Sequence, residues 1–593
     1  MPPFMTRPLI LARRGVVTSG HYLATAAGFR ILAQGGNAVD AAAAACLVLN
    51  LVEPQNNGLG GECPTLIYSA KERKTYAVSG MGWSPQALTI DWCRQHGIDL
   101  IPGDGYLPAC VPAMLDTCCL ALARFGTLSF GQAAAPAIEL AEDGFPLYEG
   151  LREAIQRLRL LFTERYPSTA KIWLPGGRVP ETGERMRLPE WAAVLRKMAA
   201  AESQTGKSRV AGIEAARDVF YKGEIAERMV AAIASQPVLD ASGSAHTGLL
   251  SLADFAEWHA ALEEPLSLEY RGLQVHKCSS WTQGPVFLQQ LALLAGFDLR
   301  AMGHNSAEYL HTLAECAKLA FADREAYYGD PLFDQPPFDI LLSESYNAQR
   351  RSLLREAASP DLIAGEVGRG YPEYINRSVL EDNRLALGVQ NAPDLTPATG
   401  DTTHLDTLDA EGNMVACTPS GGWFQSSPVM EGLGFPLGTR AQMFYLNPQR
   451  PNALQPRKRP RATLTPTLVT RDGQPYLGFG TQGGDMQDQW TLQFFLNVVE
   501  FGMNLQEALD APMVHSDHFP SSFYPRQAFP QQLSVETRLP QPVLDELARR
   551  GHKLERAGDW THGRVLAVSF DAARGLLSAG ASPRQAIAYA MGW

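Results

Sequence analysis

The sequence predicts a mixed α/β (α+β) fold in which helices pack on a sheet drawn largely from the C-terminal third. From Gly20 to about Gly329, apolar residues recur at helical spacing between Gly and Pro breaks. After Thr402 the period changes to two, with turn residues between the alternating runs. A chain of 593 residues, 45% apolar and 19% charged, can also bury a large core. Length alone gives a prior of two to four domains, and no internal repeat is present.

The first strong element is the apolar run 41–52, "AAAAACLVLNLV", bracketed by Asp40 and Glu53. It is too short to span a bilayer and is expected to be a buried helix. Residues 64–80 alternate on either side of Lys71-Glu72, which predicts a hairpin. Residues 191–198, "WAAVLRKM", have the spacing of an amphipathic helix, and residues 266–278 read as two strands around Arg271-Gly272. Residues 355–400 are rich in Pro, Gly and acids with little periodicity, as in an exposed connector or a functional segment. Next come strands at 402–408 and 414–418, joined by a turn that contains Gly412-Asn413. A second hairpin runs from "TLTPTLVT" (463–470) into "PYLGFG" (475–480), followed by Gly483-Gly484 and a helix within 485–502.

Fifty-one Lys and Arg face 62 Asp and Glu, a formal net charge of −11, and no basic run stands out. Neither nucleic acid nor an anionic membrane is the expected partner. The N-terminus lacks a secretory pattern, and the nine cysteines include Cys118-Cys119 but no C-x-x-C. These features predict a cytoplasmic protein without a disulfide framework, a metal or a cofactor.

Residues 478–483, "GFGTQG", match the dinucleotide pattern G-x-G-x-x-G. The strand before them belongs to an antiparallel hairpin, however, and Asp485 stands where a pyrophosphate would approach the helix. Gly483-Gly484 can instead aim successive N–H groups at one oxygen, as in an oxyanion hole, or form a plain tight turn. No G-x-S-x-G elbow, H-E-x-x-H pair or P-loop occurs. His404, two residues from Thr402, is a tempting base, although strand histidines are more often structural.

Thr402 admits two readings. Thr402-Thr403 fits ordinary β propensity. Alternatively, a cut between Asp401 and Thr402 would give one residue both a hydroxyl and an α-amine of pKa about 7.7–8.0, well matched to neutral pH as a base.

"TTHLDTLDAEGNMVACT" (402–418) resembles the start of the small subunit in the γ-glutamyltranspeptidase family. The likeness extends to 35–68, 111–145, 218–232, 306–333, 459–469 and "GTQGGD" (480–485), so most of the chain is covered. The resemblance implies a four-layer αββα sandwich of the N-terminal-nucleophile (Ntn) hydrolase type. It also implies self-cleavage into a large subunit, 1–401, and a small one, 402–593, that remain one interlocked unit. Thr402 would be the nucleophile, Gly483 and Gly484 the oxyanion donors, and Ser420 the residue supporting the nucleophile where the family has threonine. The end of the 355–400 segment would have to vacate the site after the cut.

The family's substrate contacts map onto Ile90 for the carboxylate-binding arginine and Ala462-Thr463 for the serine pair. Tyr445 falls at the acid and Gly422 at the asparagine, while Gln442 is retained. Isoleucine cannot replace an arginine fork, and Trp423, Phe424 and Tyr445 predict a more apolar acyl pocket. The expected activity is a γ-glutamyltransferase-like or glutathione hydrolase-like reaction on a small-molecule amide. An amidase or acylase acting on a non-γ-glutamyl amide is one alternative, and an unprocessed, non-catalytic family member is another.

Overall fold

The computed structural model describes residues 4–368 and 401–593. Two seven-stranded antiparallel sheets form its centre. The first runs Tyr589–Gly592, Gly15–Ser19, Leu405–Asp409, Met414–Cys417, Thr65–Ser69, Lys74–Val78, Leu262–Glu263. The second runs Ile10–Ala12, Leu576–Ala581, Leu566–Asp571, Gln474–Gly480, Thr467–Arg471, Leu273–Lys277, Leu266–Tyr270. Both sheets mix strands from before and after residue 401.

Alternation along the strands decides the layers. Met414 and Ala416 pack with Leu66, Leu468, Val568 and Leu577 in a cluster shared by the two sheets. Their neighbours Val415 and Cys417 face the helices instead. On that outer side lies Ala38–Val52, buried along its whole length and started by a capping box between Asn37 and Asp40. Pro285–Leu294 and Gln487–Val499 cover the opposite sheet through Val275, Val469, Leu477 and Phe479. The order is therefore helix, sheet, sheet, helix, the αββα sandwich that the resemblance implies.

The expected hairpins are present and their turns have local causes. Arg271 and Gly272 both take positive φ, as do Asp472 and Gly473. Asp409 accepts from the Asn413 backbone and side chain, each at 2.9 Å, and from Ala38 N at 2.9 Å, which ties the turn to the start of the buried helix. Two strands start later than the alternation suggests. Regular pairing begins at Leu405, and Thr402 makes only an isolated bridge to Ser420, because Pro419 interrupts the facing strand. Pro466 likewise delays the other hairpin to Thr467.

Of the segment expected to be a connector, residues 369–400 lie outside the described residues. Just before them, Leu362, Ala364 and Val367 are buried in the cluster around the Ala307–Tyr327 helix, and Gly365 N donates to Asp323 at 2.8 Å. All nine cysteines are buried and unpaired. Among the described residues no helix is long and apolar enough to cross a membrane.

Candidate active site

The Asp401–Thr402 peptide enters the first sheet beside the loop that follows Met414–Cys417. Thr402 is 1% exposed, and its Oγ1 lies 3.0 Å from Ser420 Oγ. Ser420 Oγ also reaches the Asp401 carbonyl oxygen at 3.1 Å. Beneath it, Arg440 donates from Nη2 to Ser420 Oγ at 2.6 Å and from Nε to Glu62. Glu62 and Ser420 exchange backbone hydrogen bonds of 2.9 Å in both directions, so the ion pair and the serine are fixed to one frame. Burial pushes the Glu62 pKa up, and Arg440 opposes that shift. The Asp401 carbonyl has a second donor, Trp423 Nε1 at 2.6 Å, which also bonds Asn56 O at 2.9 Å.

The Asp401 carboxylate faces the other way. Its Oδ1 accepts from Thr402 N at 2.9 Å, and its Oδ2 from Gln482 Nε2 at 2.6 Å and Arg564 Nη1 at 3.3 Å. Burial raises its pKa, opposed by Arg564 and by backbone and side-chain donors that include Gly483 N–H. Glycine is required there: Gly483 has φ of 120°, and a Cβ would meet Trp490 at 2.2 Å. Gly484 has φ of 55°, with a Cβ position 3.0 Å from Phe523.

Asp401, Gly483 and Gly484 border a cavity of about 410 Å³. Its remaining wall comes largely from residues 517–529, including Phe519, Phe523, Tyr524, Arg526 and Phe529. Behind it lies a buried charge network. Asp485 accepts from Arg324 and from the Ser522 backbone and hydroxyl at 2.7 and 2.6 Å. Glu325 accepts from Arg461 at 2.8 Å, Arg450 at 3.1 Å and Tyr445 OH. Burial pushes Glu325 up, but Arg461, Arg324 and Arg450 outweigh it and hold the carboxyl below its usual range. With Asp485 committed to Arg324 and Ser522, the 478–483 glycines end at a short turn, Gly484–Met486, rather than in a phosphate cradle.

The structure brings Asp401, Thr402, Ser420, Gly483 and Gly484 together; the expected substrate contacts are more scattered. Gln442 borders the cavity, where its Oε1 takes Tyr524 N at 3.0 Å and its Nε2 is held by Gly103 O at 3.1 Å. Ile90 opens the Ile90–Gln95 helix and packs with Leu88 and Cys93. Ala462 lies in the cluster between the sheets, and the adjacent Thr463 is fully buried. Gly422, with φ of 60°, presses on the backbone of Gly60 and Gly61. None of these last four residues lines the cavity.

The expected apolar trio also divides. Trp423 borders the cavity, whereas Phe424 packs edge-on against Phe162 and Trp173. The Tyr445 ring lies under the guanidiniums of Arg450 and Arg526, at 3.6 and 4.1 Å, with its hydroxyl on Glu325. His404 is bound at both ring nitrogens, by Thr418 at 3.0 Å and Asp406 at 2.9 Å, and so is held away from Thr402. Sequence reasoning missed the 517–529 wall, whose only signal is a dense aromatic and proline run, "HFPSSFYPRQAFP".

Away from the cavity, His311, Glu315 and His552 bring metal-ligand atoms within 4.8 Å of one another. These atoms are engaged within the protein: His311 Nδ1 meets His552 Nε2 at 2.9 Å, and Glu315 takes Lys318 Nζ at 2.6 Å.

A family model described as Gamma-glutamyltranspeptidase matches residues 24–592. The chain is 30% identical to the Glutathione hydrolase-like YwrD proenzyme of Bacillus subtilis, over 97% of this chain and 98% of that protein. It is 29% identical to the Acylase ACY 1 proenzyme of a Pseudomonas species, over 92% and 88% of the two chains. Among solved structures, LmbA2991HD is 42% identical with a TM-score of 0.91 over the whole of both chains. The cephalosporin acylase from Bacillus halodurans is 29% identical with a TM-score of 0.83, over 100% of this chain and 98% of its own. With a match over nearly its full length and a sandwich of the same architecture, this chain belongs to the gamma-glutamyltranspeptidase family.

Proposed function

We propose that the chain is a self-processing amide hydrolase or acyltransferase that cuts itself between Asp401 and Thr402 and then acts through an acyl-enzyme on Thr402. The single observation carrying this is the arrangement at the 401–402 peptide. The Thr402 hydroxyl meets Ser420 Oγ at 3.0 Å, Ser420 reaches the carbonyl to be attacked at 3.1 Å, and Asp401, on the other side of the bond, borders a 410 Å³ cavity.

In the precursor, Thr402 Oγ1 bonds to the Asp401 carbonyl carbon while its proton passes to Ser420 and the Ser420 proton moves onto the carbonyl oxygen. Collapse breaks the C–N bond and delivers that proton to the Thr402 nitrogen. Water then splits the resulting ester, leaving an Asp401 carboxylate and a Thr402 with free hydroxyl and amine. Arg440 orients Ser420 by occupying a lone pair of its oxygen, so that the serine hydrogen is directed to the carbonyl.

In the mature state the α-amine, a group whose ordinary pKa is about 7.7–8.0, takes the proton of Thr402 as it attacks a substrate amide. Once Asp401 departs, the N–H groups of Gly483 and Gly484, which border the same cavity, would receive the developing oxyanion. The two products, 1–401 and 402–593, stay together because both sheets interleave their strands: Leu405–Asp409 lies between Gly15–Ser19 and Met414–Cys417, and Leu273–Lys277 pairs with Thr467–Arg471.

The lining favours an acyl group other than γ-glutamyl. Phe519, Phe523, Tyr524 and Phe529 supply an aromatic wall, and the positions matched to the family's carboxylate and amine contacts lie elsewhere, apart from Gln442. N-terminal sequencing of any small fragment should begin Thr-Thr-His-Leu, and the processed protein should prefer some other anilide to γ-glutamyl-p-nitroanilide. A single intact chain after prolonged incubation would refute the processing, and equal turnover of all anilides would refute the preference.

A further inference from the structure

We infer that Trp423 is a catalytic residue of the maturation step, its indole N–H serving as the oxyanion donor for the Asp401 carbonyl. The inference rests on the self-processing proposed above and adds a residue to it. In the uncleaved chain Trp423 Nε1 lies 2.6 Å from the Asp401 carbonyl oxygen, shorter than the 3.1 Å contact from Ser420 Oγ. As Thr402 Oγ1 adds to the carbonyl carbon, the electron pair of the C=O bond moves onto this oxygen, which gains charge until the Ser420 proton arrives. The two donors then divide the work. Ser420 can pass a proton, whereas an indole N–H only donates a hydrogen bond and stabilises the charge without neutralising it.

Three features of the surroundings strengthen this donor. Trp423 is 2% exposed, so its indole N–H is held in a low local dielectric, which makes the hydrogen bond worth more. The Arg440 guanidinium lies 5.0 Å from the indole ring, and a positive charge there polarises the N–H toward donation. The N–H is also shared with Asn56 O at 2.9 Å, which fixes the ring before attack. The same sharing matters afterwards: when the Asp401 end leaves, the buried N–H keeps a partner and no unsatisfied donor remains to hold the product in place.

The test is the first-order rate at which the fragment beginning at Thr402 appears on denaturing gels after cell-free translation of the full chain. It is followed for wild type, Trp423→Phe, and a chain carrying benzothienylalanine at 423, in which sulfur replaces the indole N–H at nearly the same shape. Loss of one oxyanion donor predicts maturation about 10²–10³ slower in both altered chains. Their thermal unfolding midpoints should stay near that of a Thr402→Ala precursor, which separates slow chemistry from poor folding. If the benzothienyl chain matures within threefold of wild type, Trp423 is not the donor, and the Thr402 nucleophile stands unaffected. If wild-type chain is never cut before Thr402, the processing itself is wrong and this role falls with it.

Discussion

Glu53 offers a prediction whose size follows from its surroundings. This carboxyl is fully buried at the end of the Ala38–Val52 helix, where Oε1 accepts from Gln585 Nε2 at 2.7 Å and Asn56 Nδ2 at 3.2 Å. Burial pushes its pKa up to about 7; the nearby Thr403 hydroxyl and the Asn56 amide oppose the rise, the Asp401 charge adds to it and Arg564 reduces it. In an unfolded chain the group would titrate near 4.3. The folded state therefore holds a proton that the unfolded state has lost, and stability falls as pH rises between those values. The cost is about 1 kcal/mol at pH 5 and grows to about 3.5 kcal/mol at pH 8, where the folded carboxyl is ionised.

Glu53→Gln keeps the acceptor oxygen and removes the charge. It should gain little at pH 5 and raise the unfolding midpoint by roughly 2–3 °C at pH 8 for a chain of this size. Scanning calorimetry of both proteins from pH 5 to 8 measures the difference. A gap that does not widen with pH, or a variant less stable than wild type at pH 8, would show that Glu53 is not held protonated by its surroundings.

Gly483→Ala should lower amide turnover by at least about 10²-fold, since its Cβ would meet Trp490 at 2.2 Å and turn the N–H away from the oxyanion of the substrate; an anilide assay on the processed protein measures the loss. Arg440→Met should cost about 3–5 kcal/mol by leaving Glu62 buried and unpaired, and adding Glu62→Gln should recover part of it in a denaturant-melt double-mutant cycle. Phe523→Ala and Tyr524→Ala should leave maturation within a few-fold of wild type while shifting the ranking of anilide substrates through KM, because both residues border the cavity and neither bonds the 401–402 peptide; slowed maturation in both would contradict that division.

The sequence by itself determined what depends on near neighbours. Period-two alternation and turn residues gave the hairpins at 65–78, 266–277, 405–417 and 467–480, because strand faces and positive-φ turns are set within a few residues. The apolar run before Glu53 fixed a helix buried on every side. The family likeness of 402–418 and 480–485 pointed to Thr402, Gly483 and Gly484, and the alignment carried just past it pointed to Ser420; the fold gathers all four near the 401–402 peptide. Only the tertiary structure decided what surrounds them. Arg440 and Glu62 are 378 residues apart, yet they support Ser420 together, and Trp423 turns toward Asp401 through a loop with no periodicity. The 517–529 wall and the placement of Ile90, Ala462 and Thr463 away from the cavity were equally hidden, since they follow from how two sheets and their loops pack. Backbone geometry is written locally and can be read locally; a cavity is the space that distant segments leave between them, and no single segment encodes it.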